Sequence, residues 1–245
     1  MFAKYVDPLT DGSRKLMSLK LKRCGAVIVA AGTASRMGGL DKIMEPLGGE
    51  PLIAKTVRAF QECAAIAEIV IVTREDLILP VKNAVAGMDK VTAVVVGGKD
   101  RAESVNLGLN ALSPKVKLAA VHDGARPMIT ERLIDRVVRA ANLYGAAAPG
   151  VPVKDTIKIA ELGIVKSTPD RKTLQAVQTP QVFDFDMLRG ALKYVRTEGI
   201  AITDDCSALE AMGMKIKMVE GDEQNIKVTT PMDLKIVRLL WEERT

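Results

Sequence analysis

Short apolar runs rich in Val, Ile and Ala alternate along this chain with stretches in which apolar residues recur every three or four positions. The runs at 24–31, 68–72, 91–96 and 118–122 predict buried strands, because continuous β-branched segments of this length suit a sheet covered on both faces. Between them 51–63, 77–86 and 101–112 carry a helical period, and 130–142 carries it again after the fourth run. Pro51 suits a first helical turn, where its missing N–H needs no partner. The alternation predicts βαβ units and a mainly parallel α/β sheet, with ligands beyond the carboxyl ends of the strands.

From 151 to 181 the pattern changes. Residues 153–159 alternate with period two, Glu161-Leu-Gly163 reads as a turn, and an apolar strand-like stretch returns at 174–180. This predicts a hairpin arm, about 153–177, projecting from the sheet. Such a hairpin buries little within its own subunit, so it suits dimerisation; a plain surface loop is the alternative. Helical signals resume at 185–195 and 205–212, a strand is expected at 215–219, and a closing helix opens at Pro231.

Composition narrows the function. At 245 residues the chain fits one domain, 24–245, preceded by an extension at 1–23 with no assigned role. Hydrophobic residues make up 48% and aromatics only 3%, so the core is built from aliphatics and base-stacking platforms are not expected. The net charge of +5 comes from scattered cations rather than a basic run, which suits a small anionic ligand and argues against nucleic acid. Three separated cysteines and one histidine make a structural zinc site of the usual Cys/His kinds unworkable. Reduced thiols, with neither a secretory signal nor a membrane span in the sequence, predict a cytoplasmic protein.

The candidate chemistry sits where strands end. The first strand empties into Ala30-Ala-Gly-Thr-Ala-Ser-Arg-Met-Gly-Gly39, followed by Asp41-Lys42. Small residues there let backbone N–H groups close on a polyphosphate, and Arg36 and Lys42 can neutralise it. The loop matches neither the P-loop nor the dinucleotide fingerprint. Gly97-Gly-Lys-Asp-Arg-Ala-Glu-Ser104 allows close approach of a flat ligand such as a base. Val121-His-Asp-Gly-Ala-Arg-Pro127 supplies Asp123, for a ribose or a water of a bound cation, and Arg126 for phosphate; a brace across the turn is the plainer use. His122 reads as a packed histidine, and Thr203-Asp-Asp-Cys206 as a helix cap. In Asn225-Ile-Lys-Val-Thr229, inward Ile226 and Val228 would turn Lys227 toward a cleft. Cation-rich loops outnumber acid–base pairs, which points to phosphoryl or nucleotidyl transfer.

In order, these segments resemble the 2-C-methyl-D-erythritol 4-phosphate cytidylyltransferases, together with Pro152-Val-Lys-Asp-Thr156, Asp170-Arg171 and Thr179-Pro-Gln181. The resemblance covers roughly residues 24 to 240 and implies a Rossmann-like nucleotidyltransferase, homodimeric through the β-arm, using CTP, Mg²⁺ and a polyol phosphate. It assigns Arg36, Lys42 and Lys227 to the catalytic phosphate contacts. Ala30, Ala31, Gly32, Gly98, Ser104 and Asp123 fall to the nucleotide, with Asp123 at most a water-mediated metal contact. Arg126, Thr156, Arg171 and Thr203 fall to the second substrate, Thr156 and Arg171 from the arm and so across the dimer. Three positions depart from the family pattern: Ala34 for a glycine, Asp41-Lys42-Ile43 around the lysine, and Lys99 for an acid. The alternatives are the sister family acting on ribitol 5-phosphate and, more remotely, a nucleotide-binding regulator without catalysis.

Overall fold

The structure, a computed structural model, describes residues 20–32 and 41–244. The first apolar run forms β1 (Cys24–Ala30), central because it pairs in parallel with β4 (Ile66–Thr73) on one side and β6 (Leu118–Asp123) on the other. β5 (Val91–Val96) continues the β4 side in parallel. The short antiparallel pair β2 (Pro46–Leu47) and β3 (Glu50–Pro51) leads into α1 (Leu52–Glu62), and α1, α2 (Ile78–Ala84) and α3 (Arg101–Ala111) carry the crossovers. The chain thus moves outward from β1 to β5, then returns across the sheet to β6. Strand order reverses between β1 and β6, where open α/β sheets leave a crevice for ligands.

Residue alternation along β1 divides the core into two layers. Ala26, Ile28 and Ala30 pack under α1 and α4 (Glu131–Tyr144), while Val27 packs with Val105 and Leu109 of α3. α5 (Phe185–Thr197) and α6 (Asp205–Glu210) complete that second layer through Leu188, Leu192 and Leu209. α4 starts at Thr130, whose side chain accepts from the Leu133 N–H, and stops at Gly145, which takes φ 84°. Only glycine adopts that left-handed conformation without cost.

Beyond β6 the sheet is mixed, and here the structure adds two strands that periodicity did not predict. β7 (Ala146–Pro152) and β11 (Gln181–Asp184) are antiparallel to one another, and β11 is antiparallel to β6. β7 is built from Ala, Pro and Gly until Val151, so it carries no β-branched signal. Small residues let the backbones approach closely there: the Gly221 N–H donates to the Gly150 carbonyl at 2.8 Å, and a Cβ on Gly221 would meet the Gly150 carbonyl group at 3.0 Å. β12 (Lys217–Glu220) lies parallel along one flank of β7. β10 (Gln175–Val177) follows β11's path along the other flank.

The arm is shorter in its pairing than the alternation predicted. Its ladder is confined to β8 (Ile159–Glu161) and β9 (Ile164–Ser167), joined through Leu162 and Gly163, both with positive φ. Residues 153–158 form no ladder, and 175–177 return to β7, a strand already anchored in the core. The domain also begins slightly before residue 24: Leu21 packs on the core, Lys22 pairs with Asp184 at 3.1 Å, and the Arg23 carbonyl accepts from Lys117 and Leu118. The remainder of the expected extension, 1–19, lies outside the described residues. At the other end, α7 (Pro231–Glu242) sets Leu234 and Val237 against Leu47, Leu52, Met128 and Val228, which fixes residues 225–229 beside the switch point.

Candidate functional site

Asp123 ends β6 and is the electrostatic centre of the crevice. Its Oδ1 accepts from Arg101 Nη1 at 2.7 Å. Its Oδ2 lies 3.0 Å from Lys227 Nζ and 3.4 Å from Arg126 Nε. Burial opposes ionisation of this carboxyl, but Arg101, Lys227 and Arg126 outweigh it and hold the acid far below the usual carboxylate range. Asp123 is therefore a fixed anion among three cations.

Each cation is aimed by its own element. Arg101 opens α3, capped by Asp100, and its second nitrogen donates to Asp205 Oδ2 at 2.8 Å. Arg126 reaches the Asn225 carbonyl at 2.6 Å, which ties the turn after β6 to the segment carrying Lys227. That segment is pinned twice more: Asn225 Nδ2 donates to the Thr179 carbonyl at 2.9 Å, and the Val228 N–H to the Ala125 carbonyl at 2.8 Å. With Val228 fully buried, Lys227 turns to the crevice, as the alternation predicted.

A cavity of about 380 Å³ opens over these groups. Ala30, Ala31 and Gly32 line it from the end of β1, and Gly98 and Ser104 from the β5–α3 loop. Lys42, Asp123 and Lys227 line the rest, with Arg101. A Cβ on Gly97 would meet the Ala31 Cβ at 2.4 Å, so glycine is what lets the two loops converge. Ser104 braces that loop, its hydroxyl donating to the Asp100 carbonyl at 2.8 Å and accepting from the Gly98 N–H at 3.1 Å. A larger cavity, about 670 Å³ between α3 and α5, shares Arg101 but contains neither Asp123 nor Lys227. Asp123, Lys227 and Lys42 converge only in the smaller one.

Other expected site residues fall elsewhere. Arg36 lies outside the described residues, as does Ala34. Arg126 stands behind Asp123 rather than in the cavity wall. Thr203 is exposed and lines no part of the cavity; its N–H lies 3.2 Å from Ser207 Oγ, beside the cap formed by Asp204. Thr156 and Arg171 are exposed on the arm, with Arg171 Nη1 donating to the Lys154 carbonyl at 2.6 Å. Asp41 is held by Arg74, which also pairs with Asp76 at 2.9 Å, so this acid next to Lys42 has a counter-charge of its own.

His122 is packed, not exposed to a ligand. It is fully buried against Phe60, with ring centroids 4.9 Å apart, and burial pushes it down to about 3. Thr179 Oγ1 accepts from the Asp123 N–H at 3.1 Å and makes a hydrogen bond with His122 Nδ1 at 3.0 Å. Sequence reasoning gave no role to Thr179, Arg101, Asp205 or Asn225. All four lay within quoted motifs, but the contacts they make need the fold. Among the described residues no three His, Cys, Asp or Glu side chains group as a metal site, and none of the described helices is long and apolar enough to cross a membrane.

Comparison with known proteins identifies what this geometry belongs to. The sequence profile of the 2-C-methyl-D-erythritol 4-phosphate cytidylyltransferases matches residues 24–243. The enzyme of that name from Caldanaerobacter subterraneus subsp. tengcongensis is 43% identical over 219 residues, 87% of this chain and 96% of that protein. The one from Clostridium novyi is 44% identical over 226 residues, 90% of this chain and 97% of that protein. In structure, the 4-diphosphocytidyl-2C-methyl-D-erythritol synthase of Anaerococcus prevotii superimposes with a TM-score of 0.82 at 29% identity, covering 90% of this chain and 99% of that one.

Proposed function

The chain belongs to the 2-C-methyl-D-erythritol 4-phosphate cytidylyltransferase family, and from that premise we propose how its residues carry the reaction. The enzyme transfers CMP from CTP to 2-C-methyl-D-erythritol 4-phosphate, giving 4-diphosphocytidyl-2-C-methyl-D-erythritol and pyrophosphate in isoprenoid biosynthesis. Ribitol 5-phosphate is not favoured as acceptor, since the matched family and relatives carry the methylerythritol name.

The observation that carries the site assignment is Lys227 facing Asp123 across the switch-point cavity that Lys42 also lines. The cytosine and ribose occupy the space walled by Ala30, Ala31, Gly32, Gly98 and Ser104, with Asp123 beneath the sugar. Arg36 and Lys42 take the β- and γ-phosphates, and Lys227 takes the α-phosphate. The acceptor's phosphate oxygen is already anionic near neutrality, so it attacks the α-phosphorus in line without a general base. Pyrophosphate leaves toward the cations, which stabilise the charge that develops. His122, neutral and buried, takes no proton in this scheme.

Among the described residues no group of acidic, His or Cys side chains forms a cage for a resident metal. Both Asp123 oxygens are engaged by cations, which suits a sugar hydroxyl or a metal-bound water better than direct ligation. Magnesium enters as part of the substrate, carried on the triphosphate oxygens. Arg126, Thr156, Arg171 and Thr203 remain our assignments for the methylerythritol phosphate. Thr156 and Arg171 sit on an arm that exposes Ile159, Leu162, Ile164 and Val165, an apolar surface that supports a homodimer in which each arm reaches the other subunit's site. The three free, buried cysteines support a reducing cytoplasmic location. The test is direct: supply CTP and magnesium with each polyol phosphate in turn and measure pyrophosphate. Release with methylerythritol phosphate and not with ribitol phosphate is expected; equal release would return the alternative.

A further inference from the structure

Asp205 is an unusual residue to bury. It is fully inaccessible, yet it does not cap its helix, since Asp204 accepts the Ser207 N–H at 2.9 Å and forms the reciprocal cap. Among the described residues its Oδ1 has no hydrogen-bond partner, and its Oδ2 meets one group, Arg101 Nη2 at 2.8 Å. A buried carboxylate costs several kcal/mol in lost hydration and is retained only against a good counter-charge. The local architecture is built to keep it in place. Gln181 Oε1 accepts from the N–H groups of Asp205 and Cys206 at 3.0 and 3.1 Å, while its Nε2 donates to Asp204 at 2.6 Å.

Arg101 is consequently stretched between two acids, Asp205 behind it and Asp123 in front. A guanidinium bound at both ends has little rotamer freedom left, and its planar fork fixes the direction of each bond. We propose that Asp205 is a positioning residue for nucleotide binding, acting through Arg101 to lock the Asp123 carboxylate in the orientation the nucleotide requires. The geometry also explains how Lys227 can serve two partners. With Oδ1 of Asp123 neutralised by the anchored Arg101, Lys227 can turn from Oδ2 to an arriving phosphate without stranding a buried anion. If Asp205 is lost, Arg101 is free to swing, and Asp123 depends on Lys227 and the more distant Arg126 for its charge balance.

This inference rests on the assignment of Asp123 to the nucleotide, and the experiment separates the two. Steady-state kinetics are measured for the Asp205→Asn, Asp123→Asn and doubly substituted enzymes, varying CTP and the polyol phosphate independently. Asp205→Asn is expected to raise KM for CTP roughly tenfold or more, the ordinary worth of a charge-assisted hydrogen bond. KM for the polyol phosphate should stay within about twofold, a split that a general loosening of the fold would not produce. In the Asp123→Asn background the same substitution should change KM for CTP less than about twofold, because its route to the nucleotide is already cut. Arg101→Lys, which keeps the charge but cannot bridge both acids, should reproduce the CTP defect and provides the test if Asp205→Asn does not fold. Full, additive effects in the double variant, or equal rises in both KM values, would overturn the inference while leaving Asp123 in the site. Unchanged kinetics in Asp123→Asn would remove Asp123 from the nucleotide and the positioning role with it.

Discussion

At the residue scale the site is a problem of charge placement. Asp123 is kept anionic by three cations, so no proton is exchanged there near neutrality, and the lone histidine is neutral and walled off. Catalysis then depends on the cations that face the cavity. Lys42→Ala and Lys227→Ala should each lower kcat by ~10²–10³, the range for removing one charge stabiliser, with unchanged thermal unfolding. Arg36→Ala should behave alike. A chiral α-phosphorothioate should invert, as a single in-line displacement demands; retention would require a covalent nucleotidyl-enzyme. His122 makes a separate prediction about stability. Its folded value, about 3, lies below the unfolded value near 6.5, so the unfolded chain binds the extra proton between them. The stability is fully present above about pH 6.5 and falls with pH by about 1.4 kcal/mol per unit. As the chain has one histidine, the difference in urea midpoints between the wild-type protein and His122→Asn, taken from pH 7 to 5, isolates this group from carboxyls such as Asp205, which burial pushes up. His122→Asn should flatten that slope, and an equal slope in both proteins would show that burial of His122 does not set it.

At the element scale, what was legible followed the strength of local patterning. β1, β4, β5 and β6 are aliphatic runs, and α1 and α4 carry clear apolar faces, so all appear near their expected bounds. β7 and β11 were illegible because tertiary contact, not propensity, makes them strands: one is Ala, Pro and Gly pressed against Gly221, the other four residues held between β6 and β7. The arm shows the opposite case. Its alternation was clear, yet pairing is restricted to the tip because period two specifies a strand without naming its neighbour. Leu162 is 96% exposed at that tip, beside exposed Ile159 and Ile164. A hairpin of this kind is marginal alone in water, so its apolar face is expected to be covered by a second subunit. Deleting 158–167 should shift light scattering toward monomer and reduce activity together. A fully active monomer would free the arm from both roles.

At the scale of the whole molecule, the sheet order explains why residues far apart in sequence converge. Reversal between β1 and β6 opens one crevice, and every backbone-lined part of the expected nucleotide site falls there: Ala31 and Gly32, Gly98, and Asp123. The cavity-facing residues could be named from sequence because motifs mark loops. The supports, Arg101 on Asp205 and Asn225 on Thr179, were not legible because each pairs residues from separate strands or helices that only the fold apposes. The same logic sets the fate of Arg171. Among the described residues its guanidinium is exposed and bonded only to the Lys154 carbonyl, and no arm residue lines the cavity holding Lys42. If it clamps the acceptor's phosphate, it does so in the partner's site, and a guanidinium fork there is not replaceable by an ammonium. Arg171→Lys should therefore raise KM for the polyol phosphate with CTP affinity and stability nearly unchanged. Mixing Arg171→Ala with Lys42→Ala subunits supplies the decisive measurement. Each homodimer lacks one essential group at both sites, but a heterodimer with shared sites has one site that lost both groups and one that kept both. Re-association should restore about half the wild-type activity per heterodimer, and purified heterodimers as inactive as either parent would show that each subunit completes its own site.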